Sequence, residues 1–227
     1  MRMFRITRRA AVSAIAALAL SACGAETSSD AASSDSGETA DPVILQDVIF
    51  GDPNAPVTLI EYASWTCPAC LMFHNEIMPT VQSEYIETGK VRIVFREFPT
   101  APVDVAVAGF AIARCAGEET YYDVLDELFM RQDAISTLAR QGGPVVEALK
   151  QVASNHGIEG DEAFQACLDD PSNRDAIRAS IAAARDKQVS ATPTFFLNGA
   201  KMEDNARFSA TTFTAELDNA LSAAETE

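Results

Sequence analysis

The sequence predicts an α/β fold: one mixed sheet built from a β-α-β half and a β-β-α half, with an all-helical domain inserted between them. Three observations lead there. Two strand-like runs, Val57–Ala63 and Val91–Phe98, bracket a helix-periodic segment. Residues 102 to about 187 are Ala-rich and helix-periodic, with almost no strand signal. Strand character then returns at Thr194–Leu197, and a last helix closes the chain.

The elements follow in chain order. Residues 1–22 carry four arginines (Arg2, Arg5, Arg8, Arg9) and no acid, followed by an apolar run from Ala10 to Leu20 that is short for a membrane span. This is the pattern of an export signal, and Leu20-Ser21-Ala22-Cys23 resembles the lipobox of bacterial lipoproteins, in which the cysteine is lipidated. Thr7-Arg8-Arg9 is a weak twin-arginine signal. Within the tether expected over residues 23–42, Gly24 to Asp41 hold nothing apolar larger than Ala, so they bury too little surface to offset the entropy of ordering. As a flexible tether they reach about 23 Å. The folded part is expected from residue 43: a core segment over 43–101, the helical insertion over 102–187, and the rest of the core over 188–227.

Within the first core segment, Val43–Phe50 is strand-like and ends at the turn Gly51-Asp52-Pro53. Val57–Ala63 is apolar on both faces except at Glu61, as a central, covered strand would be. A helix is expected from about Cys67 to Thr88, with Phe73, Ile77, Val81 and Tyr85 facing the core, Pro79 kinking it and Gly89 ending it. The insertion divides into helices over 102–116, 118–131, 144–156, 161–169 and 173–187, punctuated by Gly117, Gly142-Gly143, Gly157 and Pro171. In the second core segment, Asn198-Gly199 is a hairpin turn ahead of Lys201-Met202, and the final helix runs from Ser209 to about Ala223.

With 48% hydrophobic and 22% charged residues, the chain has the composition of a globular protein. Its formal charge is −16, and taking the four arginines of residues 1–22 from the 17 basic residues leaves 13 against 33 acids, or −20. Such acidity argues against a nucleic-acid partner, because phosphate binding needs a basic face. Five cysteines are an odd number for an exported chain; assigning Cys23 to lipid leaves Cys67, Cys70, Cys115 and Cys167, enough for two disulfides in an oxidising compartment.

The motif that carries chemistry is Cys67-Pro68-Ala69-Cys70, placed where a strand gives way to a helix. A thiol there faces unpaired N–H groups and the positive end of the helix dipole, which favours its thiolate. The i, i+3 spacing lets Cys70 close back on Cys67, so Cys67 reads as the attacking sulfur and Cys70 as the resolving one. An inert disulfide is the bland alternative. A metal site is the other, since Cys67, Cys70 and His74 share a helical face and would suit a soft ion such as Cu(I) or Zn.

The sequence resembles the DsbA-like branch of the thioredoxin-fold oxidoreductases over nearly everything after residue 43. The resemblance rests on Gly51-Asp52-Pro53-Asn54-Ala55-Pro56-Val57, Glu61-Tyr62-Ala63-Ser64, the Cys67–Cys70 motif, Thr88-Gly89-Lys90-Val91-Arg92 through Arg96-Glu97-Phe98-Pro99, Ala113-Arg114-Cys115-Ala116 and Thr192-Pro193-Thr194-Phe195. It implies a thioredoxin fold with an inserted helical domain, thiol–disulfide exchange with reduced or misfolded exported proteins, a membrane redox partner and a monomer. No cofactor is implied. It also implies that Pro193 is a cis-proline beside the cysteine pair, that Glu61 is a buried acid helping to move the proton of Cys70, and that Cys115 and Cys167 form a structural disulfide. Ala69 stands where the best-known oxidases have a histidine, and Thr192 is also common among isomerases and reductases. A disulfide-forming oxidase is the leading expectation; a reductase or isomerase is the alternative within the same chemistry, and a copper-binding redox lipoprotein the alternative from another class.

Of the other residues, Trp65 and Thr66 read as a lip for extended substrate chains, with Thr192 beside them. His74 reads as a helix-face residue near the pair, and His156 as a helix C-terminal cap. Met72, Met130 and the phenylalanines read as core.

Overall fold

The structure is a computed structural model, and it describes residues 47–226. The export-signal segment, the tether, Cys23 and residues 43–46 lie outside the described residues. Five strands form one sheet in the order β1-β3-β2-β4-β5. These are β1 (Ile49–Phe50), β2 (Val57–Ala63), β3 (Val91–Glu97), β4 (Thr194–Leu197) and β5 (Ala200–Lys201). β2 and β3 run parallel with Leu59 opposite Ile93 and Glu61 opposite Phe95, while β4 lies antiparallel on the other side of β2, with Glu61 opposite Phe195. Glu61 therefore occupies the middle of the central strand. The sheet closes at one end with the Asn198-Gly199 hairpin, where both residues adopt left-handed φ (48° and 87°), the geometry a two-residue turn demands.

The helix after β2 is broken into α1 (Pro68–Glu76), α2 (Met78–Val81) and a π-turn over Gln82–Ile86. Pro79 has no N–H to give to the carbonyl one turn back, so the break falls at Ile77, just before it. Gly89 then takes a φ of 72° and ends the segment. α1 and the terminal helix α9 (Ala210–Ala224) cover one face of the sheet, where Val57, Leu59, Ile93, Phe195 and Leu197 pack with Phe73, Phe213 and Leu217. The opposite face, with Ile60, Tyr62, Val94 and Phe196, packs on Ala184 and Val189.

Between β3 and β4 come α3 (Val103–Cys115), α4 (Tyr121–Met130), α5 (Gln132–Gln141), α6 (Val145–Asn155), α7 (Gly160–Asp169) and α8 (Pro171–Asp186). Their core is continuous with Ala63, Trp65, Cys67, Cys70 and Phe95, so the insertion packs directly on the end of the sheet that carries the cysteine motif. Polar ties reinforce that seam. Glu97 at the end of β3 receives Arg114 from α3 at 2.7 Å and the Tyr121 hydroxyl from α4 at 2.8 Å. Tyr122 donates its hydroxyl to the Val48 carbonyl at 2.9 Å and accepts the Phe95 N–H at 3.0 Å. Arg96 grips Asp47 through two hydrogen bonds of 3.0 and 2.7 Å. Such buried charges are tolerated because each is paired and hydrogen-bonded.

Four features differ from expectation. α5 is absent from the expected set of helices although Gln132–Gln141 is amphipathic at helical period; it buries only Gln132 and Ile135. Within the described residues the first strand is reduced to Ile49–Phe50. Pro171 opens α8 at its first turn rather than merely separating two helices, and Asp170 caps it by accepting the Ser172 N–H at 2.8 Å. Met130 and Met72 are exposed rather than core: Met130 is the last residue of α4, beyond the packed stripe.

Candidate active site at the start of the first helix

Cys67 is the N-cap residue of α1, with extended backbone (φ −88°, ψ 121°), and Pro68 occupies the first helical position. The Cys67 N–H donates to Ser64 O at 3.0 Å, which turns the chain sharply from β2 into the helix. Cys67 is 8% exposed, whereas Cys70 is fully buried one turn in; both are free thiols. The two environments push the thiols apart. The Cys70 thiol donates to Cys67 and, with smaller help from the Thr192 side chain and the backbone N–H groups of Cys70 and Ala69, outweighs burial and holds Cys67 at about 5, from an ordinary 9.0. Burial comes first in driving Cys70 the other way, followed by the neighbouring Cys67 and then the Glu61 carboxyl, so Cys70 keeps its proton.

The loop ahead of β4 faces the pair. The Thr192–Pro193 peptide bond is cis, and Thr192 O lies 3.5 Å from Cys67 Sγ. Arg207 braces this loop from behind by donating to Pro193 O at 2.9 Å. Beneath the pair, Glu61 is fully buried, with Oε2 3.4 Å from His74 Nε2. Fixed dipoles at a helix start, a shallow low-pKa thiol and a deep protonated one form an arrangement able to pass a disulfide in two nucleophilic steps.

A family profile described as Thioredoxin matches residues 45–218. The chain belongs to the thioredoxin family. Within it, the chain is DsbA-like: it superposes on the crystal structure of Wolbachia pipientis alpha-DsbA1 with a TM-score of 0.70 at 26% identity, covering 81% of this chain and 95% of that one. It is 31% identical over 183 residues to a Rickettsia conorii protein named as a protein-disulfide oxidoreductase, covering 77% of this chain and 60% of that protein. The chain thus spans about three fifths of the length of the curated relatives it matches first. Oxidised BdbD from Bacillus subtilis shares the fold, with a TM-score of 0.66 at 19% identity over 81% of this chain and 97% of that one.

This thioredoxin-family frame gathers Cys67, Cys70, Thr192 and Pro193 at one place and sets Glu61 beneath them. Cys115 and Cys167 lie apart in the insertion, where they form a disulfide joining the end of α3 to α7. Trp65 is not a lip. Its indole is 0% exposed, buried in the seam with Nε1 donating to Ala106 O at 2.9 Å, because Gly109 on α3 leaves room for the ring. Thr66 is buried as well, its hydroxyl 2.8 Å from those of Ser64 and Thr100, so it shapes the turn instead of meeting substrate. His74 faces Glu61 and stacks on Phe129, away from any shared site with the two thiols. Among the described residues no group of three His, Cys, Asp or Glu is placed to hold a metal. His156 ends α6 as expected and also bonds Glu127 on α4 at 2.9 Å.

One residue of the site escapes sequence reasoning. Gln132, buried on α5, donates its amide to the carbonyls of both Trp65 (2.5 Å) and Cys67 (3.0 Å). The Ala101–Pro102 bond, on the loop leading into α3, is cis as well. A polar residue whose partners are backbone carbonyls far away in the chain gives no signal from sequence; only the path of α5 brings it under the active-site turn.

Proposed function

We propose that the chain exchanges disulfides with other proteins through Cys67 and Cys70, and that its favoured direction is oxidation of its partners. The observation that carries this is the split between the thiols, Cys67 at about 5 and Cys70 held protonated. A thiolate stabilised in the reduced state makes the Cys67–Cys70 disulfide a stronger oxidant, and a low-pKa sulfur is also a good leaving group. A substrate thiolate attacks Cys67 Sγ; the Cys67–Cys70 bond breaks and Cys70 leaves and takes up a proton, with Glu61 beside it as proton carrier. A second substrate thiolate then displaces Cys67. The cis Thr192–Pro193 loop offers backbone to an extended substrate, and the Thr192 hydroxyl supplies the thiolate with a donor that Ala69 cannot.

The decisive measurement is the reduction potential of the Cys67–Cys70 couple against glutathione. Thiol–disulfide proteins span about −270 mV at the reducing end to about −120 mV at the oxidising end. A value in the oxidising half is expected, together with catalysed oxidative refolding of a reduced substrate. A value near the reducing end, with insulin reduction faster than refolding, would make it a reductase.

The same proposal places the protein outside the cytoplasm, tethered through lipid on Cys23 and recharged by a membrane redox partner, its clients being exported proteins in reduced or misfolded form. Support comes from the signal-like residues 1–22 and from the Cys115–Cys167 disulfide, a bond that persists in oxidising compartments. A Cys23→Ser variant should move from the membrane fraction to the soluble one; membrane retention of that variant refutes the anchor.

A further inference from the structure

Behind the cysteine pair lies a cavity of about 70 Å³, lined by Glu61, His74, Gln82, Tyr122, Asp123 and Asp126 with apolar neighbours. That is ample for water, since one molecule needs only about 10–15 Å³ of such space. At the inner end, both carboxylate oxygens of fully buried Glu61 lack a hydrogen-bond partner among the described residues, and one lies 3.4 Å from His74 Nε2. At the outer end Asp123 and Asp126 are exposed. Between them, the His74 ring is fixed in orientation by stacking on Phe129 (centroids 4.0 Å apart, planes at 24°) and by edge contacts with Phe73 and Phe95. The titratable groups around His74 are Glu61 from β2, Cys70 one turn earlier on α1, and Tyr122, Asp123 and Asp126 from α4.

Cys70 must gain a proton when the disulfide opens and lose it when the disulfide re-forms, yet it is buried from solvent. Resting on the exchange reaction proposed above, we propose that His74 is a positioning and proton-passing residue that joins Glu61 to the acid-lined cavity, giving Cys70 its proton path to solvent. When substrate sulfur bonds to Cys67, the electron pair of the broken Cys67–Cys70 bond stays on Cys70, which takes one proton from Glu61. Glu61 is reprotonated by His74, and His74 by water in the cavity. A second substrate thiolate releases Cys67 as thiolate, leaving the substrate oxidised by two electrons and the pair reduced by two. Reoxidation runs the same path outward. Imidazole suits the task because it takes up and releases protons near neutrality.

The two thiols can be timed separately. Reduced protein mixed with 5,5′-dithiobis(2-nitrobenzoate) releases one thionitrobenzoate as Cys67 attacks and a second as Cys70 resolves the adduct, both visible by stopped-flow absorbance. In His74→Gln the second phase should slow about a hundredfold, the low end of general acid–base effects. Its pH–rate profile between pH 5 and 8 should change shape while the first phase keeps its rate. Asp126→Asn, at an exposed position, should slow the second phase in the same direction and keeps the test available should His74→Gln misfold. Superimposable second phases in wild type and both variants overturn the relay, and so does equal slowing of both phases, which marks a structural role. Absence of any exchange by the wild-type protein would instead overturn the reading of function on which the relay rests.

Discussion

Raising the pH on reduced protein should make it more stable in a way that the Cys67→Ser variant does not share. In the folded state Cys67 titrates at about 5, against 9.0 for an ordinary thiol. Between these values the native chain has released a proton that the unfolded chain still holds, so stability rises with pH. Each unit contributes about 1.4 kcal/mol. From pH 5 to pH 7 the reduced protein should therefore gain about 3 kcal/mol over Cys67→Ser, and the gain should level off near pH 9. Below pH 5 it vanishes. Cys70 does not blur this window, because its thiol is shifted upward and stays protonated in both states until the unfolded thiol begins to ionise. Converted at about 30 mV per 1.4 kcal/mol for a two-electron couple, the same stabilisation raises the reduction potential at pH 7 by about 60 mV. The assay is urea unfolding of both proteins under a phosphine reductant at pH 5, 6 and 7, with thiolate absorbance at 240 nm as a direct titration. A difference between the proteins that stays flat over this range refutes a stabilised Cys67 thiolate.

Three further outcomes follow from packing. Removing the Cys115–Cys167 bridge with paired alanines frees a 52-residue separation in the unfolded chain and should cost about 4 kcal/mol by loop entropy, seen as a lower urea midpoint; an unchanged midpoint would show that the bridge does not constrain the unfolded state. In Gln132→Leu the carbonyls of Trp65 and Cys67 lose their donor, so a loss of about 1–3 kcal/mol together with slower reaction at Cys67 is expected, and wild-type values in both measurements would contradict the bracing role. Gly109→Ala sets a methyl group against the buried indole of Trp65, so the fluorescence of this single tryptophan should shift to the red and stability fall by about 1–3 kcal/mol; an unchanged spectrum would mean that the seam yields elsewhere.

Much of this frame is legible in the sequence because its signals are local. Val57–Ala63 reads as a central strand from composition alone, the Asn198-Gly199 turn from its residues, and the helix break near Pro79 from a missing N–H. The chemistry of Cys67 is legible for the same reason, since a strand, a proline and a helix start sit side by side in the chain. What sequence hides is direction and reach. Trp65 looks like a substrate platform until Gly109, 44 positions further on, is seen to leave a slot for it. His74 shares a helical face with the cysteines on paper, but its ring turns to Glu61 because Phe129 closes the other side. Gln132 has no local signature, since its partners are backbone carbonyls 67 and 65 positions away.

The two hydrogen bonds from Gln132 bear on how freely the parts of this protein can be exchanged. A sheet carrying Cys67-Pro68-Ala69-Cys70 looks like a transplantable cartridge, with the six helices between β3 and β4 as an optional attachment. Yet the turn that aims Cys67 hangs from α5, and the indole behind it is seated in α3. A minimised core with the helices cut away, or a chimera carrying another family member's helices, would keep the motif and lose its alignment. Engineering of specificity in this scaffold must therefore treat α3, α5 and the cysteine turn as one unit of inheritance.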